Sequence, residues 1–219
     1  MIYGQTIWKK LRRRLEEPND AGDSNWSSDE KQDAIDLATR HLQSNLAKPY
    51  LAPLLKNQTL TGIDVAEYAT NEISNSDDIV NILVRRTSDK YKDRYAEIVK
   101  LEDKVKIFDN EYYKVDGNSP IAYIIEPTTA GDVKIKIEPT NAEIPIKSLV
   151  VSYYASHPQI EDDPAVQVLF PDEAINALLY IAESECWRVD NNSQRAGLAL
   201  QLGLGEIEKL NNRYNPNIQ

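Results

Sequence analysis

Apolar residues toward the C-terminal end of the chain recur at steps of three and four. Ile175, Leu178, Leu179, Ala182, Cys186 and Val189 therefore share one stripe of a helix. Pro171, Asp172 and Glu173 mark its start, because proline suits a first helical turn and acidic side chains suit the positive end of the helix dipole. Asp190, Asn191, Asn192 and Ser193 interrupt the pattern. Ser193 is placed to cap a second helix whose stripe is Ala196, Ala199, Leu200, Ile207 and Leu210. Phe170 to Asn212 thus reads as a helical hairpin in need of a partner. At the other end, Ile7, Trp8, Leu11 and Leu15 give a short helix over Gln5 to Glu17, ended by Pro18, Asn19 and Asp20. Ser27 followed by Glu30 is a capping box that opens a longer helix striped by Ile35, Ala38, Leu42 and Leu46 and stopped by Pro49.

From about Thr59 the period shortens. Val65 and Tyr68, then Ile79, Ile82, Leu83 and Val84, then Ile98, Val99 and Leu101, then Val105 and Ile107 mark short extended runs between charged and turn residues. Tyr112, Tyr113 and Val115 lead to Asp116-Gly117-Asn118, a step that favours the positive backbone angles of a tight hairpin, with Ile121, Tyr123 and Ile125 alternating beyond it. Val133-Lys134-Ile135-Lys136-Ile137 alternates cleanly and reads as a strand with one face in water. Leu149 to Tyr154, the most apolar run, is the expected central strand. The expected class is α+β: a small four-helix bundle from the N- and C-terminal helices, residues 1–58 and 165–214. A block of short antiparallel β-strands, residues 59–164, is inserted in it, and residues 215–219 form a C-terminal tail.

Composition narrows the function. A hydrophobic fraction of 41% describes a folded chain, and the formal charge of -10 argues against a sequence-independent duplex-binding surface over most of the molecule. One cysteine and two histidines exclude an internal disulfide and leave few metal ligands. No apolar run approaches the roughly 20 residues of a membrane span, and Met1 to Lys10 lacks a signal-peptide pattern, so the chain is expected to be soluble and intracellular at synthesis. No phosphate-binding glycine loop, H-E-x-x-H or G-x-S-x-G motif occurs, so neither an enzyme nor a cofactor is expected. Glu161, Asp162 and Asp163 read as solvent-facing carboxylates, and Cys186 lies on the apolar stripe as a packed side chain. Gly203 and Gly205 cost helix stability and let another backbone approach. The local exception to the acidic balance is Lys9, Lys10, Arg12, Arg13 and Arg14 on the first helix: either a solvated face or a contact for an acidic partner or phosphate.

Three stretches taken in order carry a family resemblance. They are Trp26-Ser27-Ser28-Asp29-Glu30 followed by Ala34 to Ala38; Val150-Val151-Ser152-Tyr153-Tyr154-Ala155 running into a proline-containing acidic loop; and Phe170-Pro171-Asp172-Glu173 opening Ala177-Leu178-Leu179-Tyr180, with Ser193-Gln194-Arg195-Ala196 beyond. The chain resembles the head-to-tail adaptor (connector) proteins of tailed bacteriophages. The resemblance implies a structural virion protein of the neck, assembled in the host cytoplasm as a homo-oligomeric ring of twelve copies. Its partners would be the portal protein and the next tail or stopper ring, with DNA passing through the lumen without specific binding. It also implies that the C-terminal end, Arg213, Tyr214, Asn215, Pro216, Asn217, Ile218 and Gln219, reaches the portal, where sequence alone allows a frayed terminus equally well. Opposite charge on the basic helix and the 161–163 loop is expected to help neighbouring copies or the portal register, so that reversing Lys9, Lys10 and Arg12 to Arg14 weakens assembly. The competing reading is a soluble nucleic-acid-binding or regulatory module using Lys9 to Arg14.

Overall fold

The computed structural model describes residues 1–16, 25–61, 67–70, 73, 78–87, 90–99, 115–125, 133–139 and 144–214. The chain divides into two compact units, one formed by Met1–Leu54 with Ser156–Gln219 and the other by Leu55–Ala155.

In the first unit, α1 (Gly4–Arg14), α2 (Ser28–Asn45), α3 (Ile175–Val189) and α4 (Ser193–Asn212) are joined by 3₁₀ turns at Lys48–Leu54 and Asp172–Ala174. The capping box at α2 forms as the sequence requires: Glu30 N–H donates to Ser27 Oγ at 3.1 Å and Ser27 N–H donates to the Glu30 carboxylate at 2.7 Å. These contacts hold the Glu30 carboxyl below the usual carboxylate range. The cap of α4 is Asn192, one residue earlier than expected, and its side chain accepts from Arg195 N–H at 3.1 Å.

The expected small four-helix bundle with an inserted block of short antiparallel strands does not form. Its premise was one apolar stripe per helix, and α3 breaks that premise: Ala177, Ile181, Ser184 and Trp187 are buried in addition to Ile175, Leu178, Leu179, Ala182 and Cys186. Burial on nearly all sides makes α3 a hub. α1, α2 and α4 each pack on it and contact one another little. Val189, assigned to the stripe, is 54% exposed. Two tryptophans fasten the N-terminal segment to the C-terminal half of the unit, the Trp8 indole N–H donating to Ile160 O in the segment before α3 at 3.0 Å and the Trp26 indole N–H to Cys186 O on α3 at 2.8 Å. Trp26 also meets Trp187 edge-on, with ring centroids 4.8 Å apart.

The second unit is built on one sheet. Its seven-stranded sheet has the order β1-β7-β3-β4-β5-β6-β2, with β1 Leu55–Thr61, β2 Glu67–Thr70, β3 Ile79–Arg86, β4 Arg94–Val99, β5 Ile121–Ile125, β6 Val133–Glu138 and β7 Ile146–Tyr154. The sheet is mixed, not antiparallel, because β4 and β5 run parallel, Glu97 to Val99 facing Ile121 to Tyr123. β7 is flanked by β1 and β3, so the expected central strand sits one place from an edge and β4 holds the middle. The predicted alternation of β6 is present, with Val133, Ile135 and Ile137 buried. These three join Ile82, Val84, Ala122, Ile146, Leu149 and Val151 in the unit's core. Ile121 and Tyr123 are buried in a second cluster with Val99, so β5 is covered on both faces.

The turn at Asp116 forms, with Ser119 N–H donating to Asp116 O at 3.1 Å, but without positive backbone angles at Gly117. Glycine is needed there because a Cβ would run into the Tyr91 ring. The runs expected at Val65, Leu101, Val105, Ile107, Tyr112 and Tyr113 lie outside the described residues.

Candidate functional site

The basic residues of α1 separate into two groups once the helix docks. Ile7, Trp8, Leu11 and Leu15 are buried, which leaves Lys9, Lys10 and Arg13 exposed. Arg12 and Arg14 turn back onto the protein. Arg12 Nη2 lies 2.6 Å from Asp162 Oδ2, and Arg14 Nη1 lies 3.3 Å from Glu183 Oε2 with its guanidinium 3.9 Å from the Tyr180 ring centroid. Among the described residues, Lys9, Lys10 and Arg13 make no ion pair. They line an open groove of about 680 Å³ with Gln5, Thr6, Arg12 and Asp162.

The acidic loop thus belongs to this helix in its own chain. Asp163 O accepts from Gln5 N–H at 3.2 Å, the Asp163 carboxylate accepts from Ala165 N–H at 2.6 Å, and Val166 O accepts from Gly4 N–H at 2.8 Å. Gly4 is required, because a Cβ there would collide with Glu161 O.

At the C-terminal end, Arg213 Nη1 lies 3.8 Å from Glu173 Oε1 and Tyr214 meets Tyr50 edge-on at 5.0 Å. Tyr214 lines a cleft of about 480 Å³ with Pro49, Tyr50, Pro53, Phe170 and Pro171. Asn215, Pro216, Asn217, Ile218 and Gln219 lie outside the described residues.

Two features were missed in the sequence. The first is the exposed leucines of α4: Leu198 is 60% exposed and Leu202 and Leu204 44% each, and Leu200, assigned to the stripe, is 36% exposed while Gly203 takes a place in it. Their spacing of two was the available signal, since alternate residues of a helix cannot share one face and four leucines in this register must leave some outside. Leu198 and Leu202 border a hollow of about 210 Å³ with Tyr180, Trp187, Arg14 and Arg195. The Arg195 guanidinium lies 4.6 Å from the Trp187 ring centroid. The second feature is His157, which is structural. Its Nε2 accepts from Leu169 N–H at 2.8 Å, its Nδ1 lies 2.6 Å from Pro158 O, and its ring stacks on Phe170 at 4.6 Å. Burial pushes its pKa down.

Among the described residues no group of three or more His, Cys, Asp or Glu is placed to hold a metal ion, and Cys186 is buried. No helix there is long and apolar enough to cross a membrane. What the first unit offers is surface: a cationic groove, exposed leucines on two sides of α4 and an aromatic cleft at the C-terminal end. A family model described as SU10 adaptor protein matches residues 3–219. The chain belongs to the SU10 adaptor protein family. As a member of this adaptor family it is a bacteriophage structural protein, working against other structural proteins of the virion, in a family that is structural rather than catalytic. No curated protein matches the sequence significantly.

Proposed function

We propose that the adaptor assembles side by side into a ring of twelve copies that docks on the portal. The ring presents its other side to the next tail or stopper ring, and the genome passes through its lumen without specific binding. Assembly takes place in the host cytoplasm before the ring becomes part of the neck. The observation that carries this reading is the family match, which runs over residues 3–219 and so accounts for both units together. The exposed leucines of α4 support it, since a chain that worked alone in water would gain nothing from leaving four leucines in one helix uncovered. The tail from Arg213 to Gln219 is assigned to the portal, with Arg213 and Tyr214 anchoring it to the first unit and residues 215–219 making the contact. A net charge of -10 is compatible with a lumen through which DNA slides instead of being held.

Native mass spectrometry of the protein alone and mixed with portal rings tests the proposal. A discrete species carrying multiple adaptor copies on each portal is expected, and its loss on removal of residues 215–219 would assign the tail. A protein that stays monomeric with portal present contradicts the ring. The reading of Lys9 to Arg14 as a nucleic-acid site predicts salt-dependent duplex affinity of the isolated protein, which the adaptor does not need.

A further inference from the structure

A ring built head to tail needs two different faces on each copy that fit one another, and the two faces must look in different directions. The cationic face of α1 is one candidate. Lys9, Lys10 and Arg13 are exposed and, among the described residues, have no ion pair, while Arg12 and Arg14 are held within the chain. The acidic loop cannot supply a matching patch, because Asp162 is bound to Arg12 and Asp163 caps its own loop, which leaves Glu161 as its single exposed carboxylate without an ion pair among the described residues.

The outer face of α2 can. Ala34, Ile35, Ala38 and Leu42 turn inward, which sets Asp29, Asp33 and Leu37 one turn apart along the opposite side. Asp29 and Asp33 are exposed and have no ion pair among the described residues, and Leu37 is 43% exposed beside them. Asp36, by contrast, accepts from Gln32 and Gln159 of its own chain. α1 and α2 both pack on α3 and have little contact with each other, so neither covers the other's outer face.

We infer that Lys9, Lys10 and Arg13 of one copy seat on Asp29, Asp33 and Leu37 of the next, fixing the register of neighbours around the ring. This rests on the ring reading above. Two carboxylates meet three cations in a groove wide enough to receive side chains of a facing helix, and Leu37 gives the lysine stems an apolar surface to lie on. Exposed charge pairs of this kind set orientation and suppress wrong pairings more than they set affinity. A second copy is favoured over nucleic acid as the occupant because α2 of the same chain carries the complementary charge, whereas the chain as a whole, at -10, repels a duplex.

The test uses the full-length chain with portal rings and two variants, K9E/K10E/R13E and D29K/D33K, with circular dichroism and melting as folding controls. Each variant alone is expected to lose the ring-sized species in sedimentation velocity. An equimolar mixture of the two is expected to regain it, because alternating copies restore an acid-base pair at every junction. Variants that assemble like wild type, or a mixture that stays dissociated although both chains are folded, would overturn the inference while leaving the ring intact. A wild-type chain that never assembles would overturn the ring and the inference together. Duplex DNA binding that K9E/K10E/R13E abolishes while assembly is unchanged would make this face a nucleic-acid site instead.

Discussion

α3 and α4 are neighbours in sequence, joined by three residues, and both are rich in Leu, Ile and Ala, yet they are used differently. α3 is covered on nearly every side, with only Val189 among its large apolar residues left open. α4 buries Ala196, Ala199, Gly203, Ile207 and Leu210 along one stripe and turns Leu198, Leu202 and Leu204 outward. Apolar content alone therefore does not say which helix is core. What decides it is the number of helices packed around each, three on α3 and, among the described residues, chiefly α3 itself on α4. The proposed contact with other virion proteins would use these uncovered leucines.

The largest effect that could break this contrast comes from a charge in each helix. Leu179→Asp puts a carboxylate where the side chain is 1% exposed and is expected to unfold the protein, a loss of about 4 kcal/mol or more, measured by urea denaturation. Leu202→Asp is expected to leave the midpoint nearly unchanged. Equal losses at both positions would show that α4 is covered after all.

Next in size is Gly203→Ala. A Cβ there would lie 2.8 Å from Ile181 Cγ1 and 3.3 Å from Tyr180 Cβ, so a cost of about 1–3 kcal/mol is expected, measured as a fall in the urea midpoint. His157 gives the acid dependence of the entry to α3. Its folded pKa is depressed, so the unfolded state binds the proton more readily, and stability is expected to fall as pH drops through the ordinary value of 6.5. A His157→Gln variant should lose most of that slope in melting curves recorded between pH 5 and 8. The smallest effect has the opposite sign. Gly205 has open space where its Cβ would stand, so Gly205→Ala is expected to stabilise α4 by about 0.5–1 kcal/mol, measured as a rise in the unfolding midpoint.

Local chemistry was legible in the sequence and long-range chemistry was not. The capping box at Ser27 and Glu30, the hairpin of helices after Phe170 and the alternation of β6 each depend on residues within a few positions of one another, and all appear. The parallel pairing of β4 with β5 depends on segments far apart, and no alternation pattern encodes which strand lies beside which. The burial of α3 on several sides was hidden for a related reason: a single stripe accounts for its sequence until three partners are present. The candidate surfaces divide in the same way. The five cations of α1 were visible as a group, but which of them stay free was decided by Asp162 and Glu183, 150 and 169 residues away. The exposed leucines of α4 were masked because a spacing of two resembles neither a helix stripe nor a loop.

The claim that α4 faces outward to meet other copies or other virion proteins is tested most directly by the native mass of a Leu198→Glu/Leu202→Glu/Leu204→Glu variant beside wild type, each mixed with portal rings. The variant is expected to melt with the wild-type midpoint and to be missing from the assembled species. A variant that joins the assembly as readily as wild type would contradict it.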